Sequence, residues 1–425
     1  MKKYIKKSQF RLTGCCMKYE EYDDAPEEVR DALDEKDLWK LSDMVIVNGR
    51  SAENFTQILI PKFHERVDKE FRHVSLKNRA LLAHIKKKIL KPAEKTIKDH
   101  NDGEIFVQLK TNIRNKDVHV IQAFGEDKSK DLMELFILND ALNRAGANSI
   151  TNYLPYIPYQ RQDKKDDGRV AISAKLVFNL LKQSCGGKLK RIVSFDLHAR
   201  QAQAHFDGPV DEIQALPLFA SYYKDLLKDL FNEKGTTDQV AVISPDAGGA
   251  KRAEKLAKLL GTRYYVLDKR RVSHGEAKFN IFLDWDCSGK HAIIVDDMID
   301  TGGSLIQPIE YLKSKGATVH ACCTHPLFSK KKGVAAEEKL GSTGVKILTT
   351  DSLPEKYRGY FAENKWLSVI SLAFNIAKMM YCNQIGDSVS SFLEKAEDLI
   401  ERKALDINIY DVEGEQIKQI DMNGI

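Results

Sequence analysis

The segment VDDMIDTGGSL, residues 295–305, follows the apolar run HAIIV and joins three carboxylates to a Gly-Gly turn. The apolar run has the β-branched character of a strand buried in a parallel sheet, and the pattern after Ser304, LIQPIEYLKSKG, has helical spacing. Asp296, Asp297 and Asp300 repel one another, so clustering them is unfavourable unless a cation or a set of hydroxyl donors lies between them. Thr301, Gly302, Gly303 and Ser304 form the turn into the helix, and small residues at a helix start aim several backbone N–H groups at one point, a ready anion site. A sugar phosphate satisfies both halves, with hydroxyls facing the aspartates and phosphate facing the turn. An acidic loop with an ordinary helix cap is the plainer alternative, but it gives no reason for Gly-Gly-Ser at the carboxyl edge of a strand.

A strand, two acidic residues, two spacers and Asp-Thr-Gly-Gly-Ser resembles the ribose-phosphate loop of type I phosphoribosyltransferases and their relatives. Outward from that loop, short apolar runs alternate with helical patterns: MVIVNG, KDVHVIQAF, SITNYLPYIPY, RIVSFDL, VAVISPDAGG, RYYVLDK and VHACCTHPLF. Such alternation predicts an α/β fold with parallel sheets covered on both faces. The runs are too numerous for one ordinary open sheet, so two α/β halves in tandem are expected, the second beginning near Gln214. The expected divisions are an N-terminal extension (1–42), a first domain (43–213) with a basic helical insertion at about 62–98, a second domain (214–393) and a tail (394–425). The insertion contains a Pro expected to end one helix at Leu90. The tail pattern INIYDVEGEQIKQI predicts a hairpin around Glu413-Gly414.

The chain of 425 residues has 66 basic and 61 acidic side chains, an excess too small to point to nucleic acid. Its seven cysteines show neither a C-x-x-C pair nor a regular spacing, which argues against a zinc site or secreted disulfide framework and for reduced thiols in the cytoplasm. The basic start lacks the apolar stretch of a signal peptide, and no run reaches transmembrane length, so no membrane partner is expected.

Four more stretches make chemical sense once a nucleotide and a metal are supplied. In YQRQDKKDDGRVAISAKL, Arg161, Gln162, Lys164, Lys165 and Arg169 crowd around Asp163, Asp166 and Asp167, offering cations for polyphosphate and acceptors for base and ribose. In SFDLHARQAQAHFD, Asp196 and His198 follow a strand and are expected to alternate in direction with Leu197; His198 is a candidate metal ligand. In VISPDAGGAKR, Asp246 precedes a second Gly-Gly turn. In LDKRRVSHGEAKF, Lys269, Arg270 and Arg271 repel one another unless an anion arrives, as in a lid closing over phosphate.

In order, ISAKL, FDLHA, SPDAGGAKR, DKRR, VDDMIDTGG and ACCTHPLFS resemble the ribose-phosphate pyrophosphokinase family, over about residues 43–393. The resemblance implies two tandem type I phosphoribosyltransferase-like domains with the active site between them. It implies that Asp296, Asp297, Asp300, Thr301, Gly302, Gly303 and Ser304 hold ribose 5-phosphate, and that Arg161, Gln162 and Asp166 contact ATP. Asp102 and Glu104 of HNDGE are expected to reach the adenine from a neighbouring subunit, with His100 standing where the family usually has a stacking Phe. His198 and Asp246 would place Mg²⁺, and Lys269 and Arg271 would be the mobile catalytic cations. Arg114, Ser388 and Ser390 match positions that often bind a regulatory nucleotide or phosphate. The implied assembly is a homo-oligomer, a hexamer built from dimers. The family's Asn-Asp-Asn before LMEL is absent, since the chain reads EDKSKDLMELF.

Three other readings share parts of this pattern: a pyrophosphokinase for a larger ribose 5-phosphate derivative such as ADP-ribose, a noncatalytic partner subunit, and an ordinary phosphoribosyltransferase. Lys269, Arg271, His198 and Asp246 oppose the second. The two halves with an ATP-type segment oppose the third.

Overall fold

The computed structural model describes residues 27–89, 91–232, 235, 237–273, 276–330, 334–353, 366–389, 407–410 and 416–420. The chain divides into two compact units, Met1–Glu212 with Leu372–Lys395 and Ile213–Ser371 with Ala396–Ile425.

In the first unit the described elements run α1 (Glu27–Ser42), β1 (Met44–Asn48), α2 (Glu53–Glu70), α3 (Leu76–Ile89), β2 (Lys95–Asp99), β3 (Ile105–Leu109), β4 (Asp117–Ile121), α4 (Lys128–Arg144), β5 (Ser149–Leu154), α5 (Ser173–Ser184), β6 (Leu189–Phe195) and β7 (Val210–Ile213). The sheet order is β1-β4-β5-β6-β7, with the first four parallel. Every residue of β1 is buried, as expected of a parallel strand covered on both faces. On α5 the buried residues are Ala174, Val177, Phe178 and Leu181, the stripe an amphipathic helix lays on a sheet. Strands β2 and β3 form a separate antiparallel hairpin. The helix of the basic stretch ends at Ile89; Leu90 lies outside the described residues. The second half of the expected N-terminal extension belongs to the core, since α1 buries Leu38 and Leu41 completely.

The second unit contains α6 (Leu216–Leu226), β8 (Val240–Ser244), α7 (Ala250–Leu260), β9 (Arg263–Val266), β10 (Asp268–Ser273), β11 (Glu276–Phe282), β12 (His291–Ile299), α8 (Gly303–Ser314), β13 (Thr318–Pro326), α9 (Ala336–Ser342), β14 (Lys346–Thr350) and β15 (Leu367–Ile370). Parallel strands lie in the order β15-β14-β13-β12-β8-β9. From β8 the chain moves outward to β9, then returns to the other side of β8 at β12. The sheet therefore changes winding direction between β8 and β12, where open α/β sheets bind their ligands. β10 and β11 form their own antiparallel hairpin.

After β15, α10 (Ala373–Ile385) packs with α1 and α2 of the first unit, although its place in the sequence assigned it to the second half. The Tyr381 ring meets Phe71 edge-on at 6.5 Å, and Asn383 donates to the Tyr153 hydroxyl at 3.2 Å. His119 is fully buried between the Tyr153 hydroxyl, 3.0 Å from Nδ1, and Gln384 Oε1, 2.8 Å from Nε2. These partners fit a neutral ring with its proton on Nε2, and burial pulls the imidazole pKa down to about 4. The expected tail hairpin is present: β16 (Ile407–Tyr410) pairs antiparallel with β17 (Gln416–Ile420) and with β15.

Candidate functional site

In the second unit the segment 295–304 spans the end of β12 and the start of α8. The strand is longer than HAIIV, so Asp296 and Asp297 lie on β12 itself, with Asp300 after its end. Gly302 precedes α8 with φ +73°, and a Cβ there would stand 3.2 Å from the Leu340 side chain, so glycine meets both the backbone and the space requirement. Asp296 Oδ1 accepts the Asp297 N–H at 2.9 Å.

The SPDAGG turn follows the adjacent strand β8. Asp246 is exposed and accepts the Gly249 N–H at 3.1 Å, while Ser244 donates to the Asp246 carbonyl at 2.6 Å. A Cβ at Gly249 would come 2.7 Å from Ser244 Oγ, so any side chain there would push that hydroxyl off its bond to the Asp246 carbonyl. The two turns are joined by Arg252 in the first turn of α7, whose Nη1 is 3.2 Å from Asp296 Oδ1 and 3.5 Å from Asp297 Oδ1. Arg252 had no role assigned from sequence. Its signal was there: Lys251 and Arg252 open α7, where cations oppose the helix dipole unless a carboxylate faces them.

Burial and the neighbouring Asp297 charge push the Asp296 carboxyl up to about 7 from its ordinary 3.8, with Arg252 opposing the rise. The folded chain thus keeps a proton that the unfolded chain loses, and its stability falls as pH rises through the window from about 4 to about 7. Thermal denaturation should show Asp296→Asn gaining on the parent chain between pH 5 and pH 7.5. A difference that stays constant over that range would exclude a shifted Asp296.

Lys269 and Arg271 lie on β10, opposite Ile281 and Phe279 of β11; their side chains, with His274 and Gly275, lie outside the description. The hairpin leaves β9 at the same carboxyl edge, because β9 runs parallel to β8.

In the first unit, Arg161, Gln162 and Asp166 occupy the segment after β5, and Asp196 and His198 the segment after the adjacent β6. The two are stitched together: Gln160 Oε1 accepts the His198 N–H at 3.1 Å, and Gln201 donates to Asp163 at 2.9 Å. Gln162 donates to the Lys164 carbonyl at 2.9 Å, and Asp166 stands 3.5 Å from the Lys164 ammonium. Just after β6, Asp196 takes φ +31°; Asp196 and Leu197 are both buried and His198 is exposed. Such backbone outliers gather at working sites.

HNDGE forms the tip of the β2–β3 hairpin. The His100 N–H donates to the Glu104 carbonyl at 2.7 Å, and the Glu104 N–H to Asp102 Oδ1 at 3.0 Å. The exposed His100 ring meets Phe106 edge-on at 5.7 Å. Arg114 is exposed, and the Ser388 N–H donates to Asp387; Ser390 lies outside the described residues. Among the described residues no three His, Cys, Asp or Glu side chains converge as a metal-binding set, and no helix is long and apolar enough to cross a membrane. A hard cation carried by phosphates takes only one or two protein carboxylates, a demand that exposed Asp246 meets.

Residues 74–185 match the family model described as the N-terminal domain of ribose phosphate pyrophosphokinase, and residues 209–356 match the phosphoribosyl transferase domain. A ribose-phosphate pyrophosphokinase of Campylobacter jejuni is 41% identical over 297 residues, covering 69% of this chain and 89% of that protein. One from Fusobacterium nucleatum is 40% identical over 291 residues, covering 68% and 87%. The crystal structure of phosphoribosylpyrophosphate synthetase from Mycobacterium smegmatis superposes with a TM-score of 0.63 at 32% identity, over 80% of this chain and 98% of that one. With both halves matched in order and nearly the full length of these relatives spanned, the chain belongs to the ribose-phosphate pyrophosphokinase family.

Proposed function

We propose that the protein transfers the pyrophosphoryl group of ATP to the 1-hydroxyl of ribose 5-phosphate, giving phosphoribosyl pyrophosphate and AMP. The observation that carries this reading is the pair of glycine turns at the β8/β12 switch point, with two aspartates on β12 and Arg252 between them. Arg252 balances the charge of the two aspartates, which sugar hydroxyls are to engage.

The sugar 5-phosphate is assigned to the backbone donors of Thr301 to Ser304, where the start of α8 favours an anion. Asp296 and Asp297 take the ribose hydroxyls, which orients O1 for attack. Arg161, Gln162 and Asp166 contact ATP, and Asp102 and Glu104 reach adenine across a subunit boundary, with His100 at the edge of the ring. O1 attacks the β-phosphorus in line and releases its hydroxyl proton to water, the bond from that phosphorus to the α-bridging oxygen breaks, and AMP departs with the electron pair. Lys269 and Arg271 neutralise charge moving onto the nonbridging oxygens, and no covalent enzyme nucleophile takes part. A divalent cation, assigned as Mg²⁺ with His198 and Asp246 as its protein contacts, neutralises phosphate charge when bound. A homo-oligomer, a hexamer built from dimers, is assigned as the working form, and Arg114, Ser388 and Ser390 as a regulatory anion site.

The test is incubation with ATP, Mg²⁺ and a panel of acceptors that includes ribose 5-phosphate and ADP-ribose, with products identified by mass. AMP and phosphoribosyl pyrophosphate should form together with ribose 5-phosphate. Product from ADP-ribose alone would transfer the reading to a larger acceptor, and no product from any acceptor would refute it.

A further inference from the structure

The β2–β3 hairpin stands apart from the main sheet of its unit, and β2 is only half-buried before becoming exposed at Lys98 and Asp99. A two-stranded hairpin with so little apolar burial has no fixed direction of its own. It takes its direction from what it docks on. Strand β3 packs on α4, Lys95 at the start of β2 donates to Asn48 Oδ1 at 2.9 Å, and the last residue of β2 is held ionically.

Asp99 is gripped by two cations from two other elements. Arg50 Nη2, in the turn after β1, is 2.8 Å from Oδ1, and Lys130 Nζ, in the first turn of α4, is 2.5 Å from Oδ2. Arg50 is itself fixed. Its Nε donates to Glu134 Oε2 at 2.5 Å and its backbone N–H to Glu134 Oε1 at 2.7 Å, and that glutamate side chain is only 1% exposed. The turn is shaped for this contact, since a Cβ at Gly49 would lie 1.8 Å from Gln122 Oε1 and 2.9 Å from Glu134 Oε1. Ser51 adds a 2.6 Å bond to Asp131, whose other oxygen accepts the Gly125 N–H at 2.7 Å. Hydrogen bonds from Arg50 and then Lys130 hold the Asp99 carboxyl at about 2, so the grip persists at every working pH.

We propose that Asp99, held between Arg50 and Lys130, is a positioning residue that aims the HNDGE tip at the adenine of ATP. The inference rests on the reading under Proposed function that Asp102 and Glu104 meet adenine. Asp99 immediately precedes the tip, whose own bonds, including Gly103 N–H to the His100 carbonyl at 2.9 Å, make it turn as one piece. A small rotation at Asp99 therefore displaces the whole tip. An exposed ion pair alone does little for stability, so the clamp should act on ATP recognition rather than on folding.

Asp99→Asn keeps the size and removes the charge; Lys130→Met removes one grip, and Lys130→Arg retains it. In steady-state kinetics Asp99→Asn should raise KM for ATP about tenfold, the scale of a small misplacement of a contact group. KM for ribose 5-phosphate and kcat at saturating ATP should stay within about twofold, with thermal stability unchanged. Lys130→Met should follow in part and Lys130→Arg should match the parent chain. An unchanged KM for ATP, or an equal rise in both KM values with lost thermal stability, overturns the proposal. Calorimetry with ATP reads the clamp without turnover: Asp99→Asn should weaken ATP binding about tenfold with ribose 5-phosphate affinity unchanged, and an unchanged ATP affinity overturns it. If the parent chain makes no product while Asp99→Asn still loses ATP affinity, the assigned function fails and the clamp stands.

Discussion

Lys269→Ala and Arg271→Ala should each lower kcat by about 10²- to 10³-fold, the scale of losing one donor aimed at developing charge. The two residues lie on β10, opposite Ile281 and Phe279 of β11, and the register shifts between Arg271 and Ser273. A hairpin outside the main sheet can move over the phosphates as the carboxyl edge of β8, β9 and β12 stays fixed. Because the charge is needed most as the β-phosphoryl group transfers, ground-state binding should change far less than turnover. Arg270→Ala is the internal control and should cost less than tenfold. A raised KM for ATP at unchanged kcat in the Lys269 and Arg271 variants would assign them to binding alone.

Asp297→Ala should weaken ribose 5-phosphate binding about 10- to 100-fold, the worth of roughly 1.5–3 kcal/mol for a hydrogen bond to a charged group, with ATP affinity within about twofold. Asp297 is 5% exposed, so its carboxylate keeps its place without a ligand, and Arg252 is 3.5 Å away. Removing it also removes the like charge that helps raise the Asp296 pKa. Calorimetry with each ligand separately decides the matter. Equal loss of affinity for nucleotide and sugar would detach this residue from the sugar.

The central strands were legible in the sequence because burial on both faces makes them unbroken apolar runs, as in MVIVN of β1 and VAVIS of β8. The β2–β3 and β10–β11 hairpins were not, since KTIKD and DKRRVS mix lysine and arginine into short sequences that lack the apolar run or alternation of a core strand. The terminal hairpin was legible from its Glu-Gly turn and flanking β-branched residues, but its pairing with β15 was not. The loop of residues 296–304 could be read whole because its parts are contiguous. Arg252 and the Asp99 clamp could not, because the bonds that give them meaning join residues 44, 49 and 31 positions apart. Asp196 illustrates a further limit: it takes a positive φ, and nothing in FDLHA announces it.

The placement of α10 bears on how the chain is made. The first unit needs Leu372–Lys395 to complete it, and the ribosome must first synthesise residues 213–371, all of the second unit's parallel sheet. At roughly 5–20 residues per second that interval lasts about 8–32 s. Through it the surface of α2 that α10 later covers is bare, and the buried polar pair His119 and Tyr153 lacks Gln384 and Asn383. The nascent first unit thus waits, with apolar surface uncovered, until the second unit's parallel sheet has been made, although the second unit in turn is completed only by Ala396–Ile425.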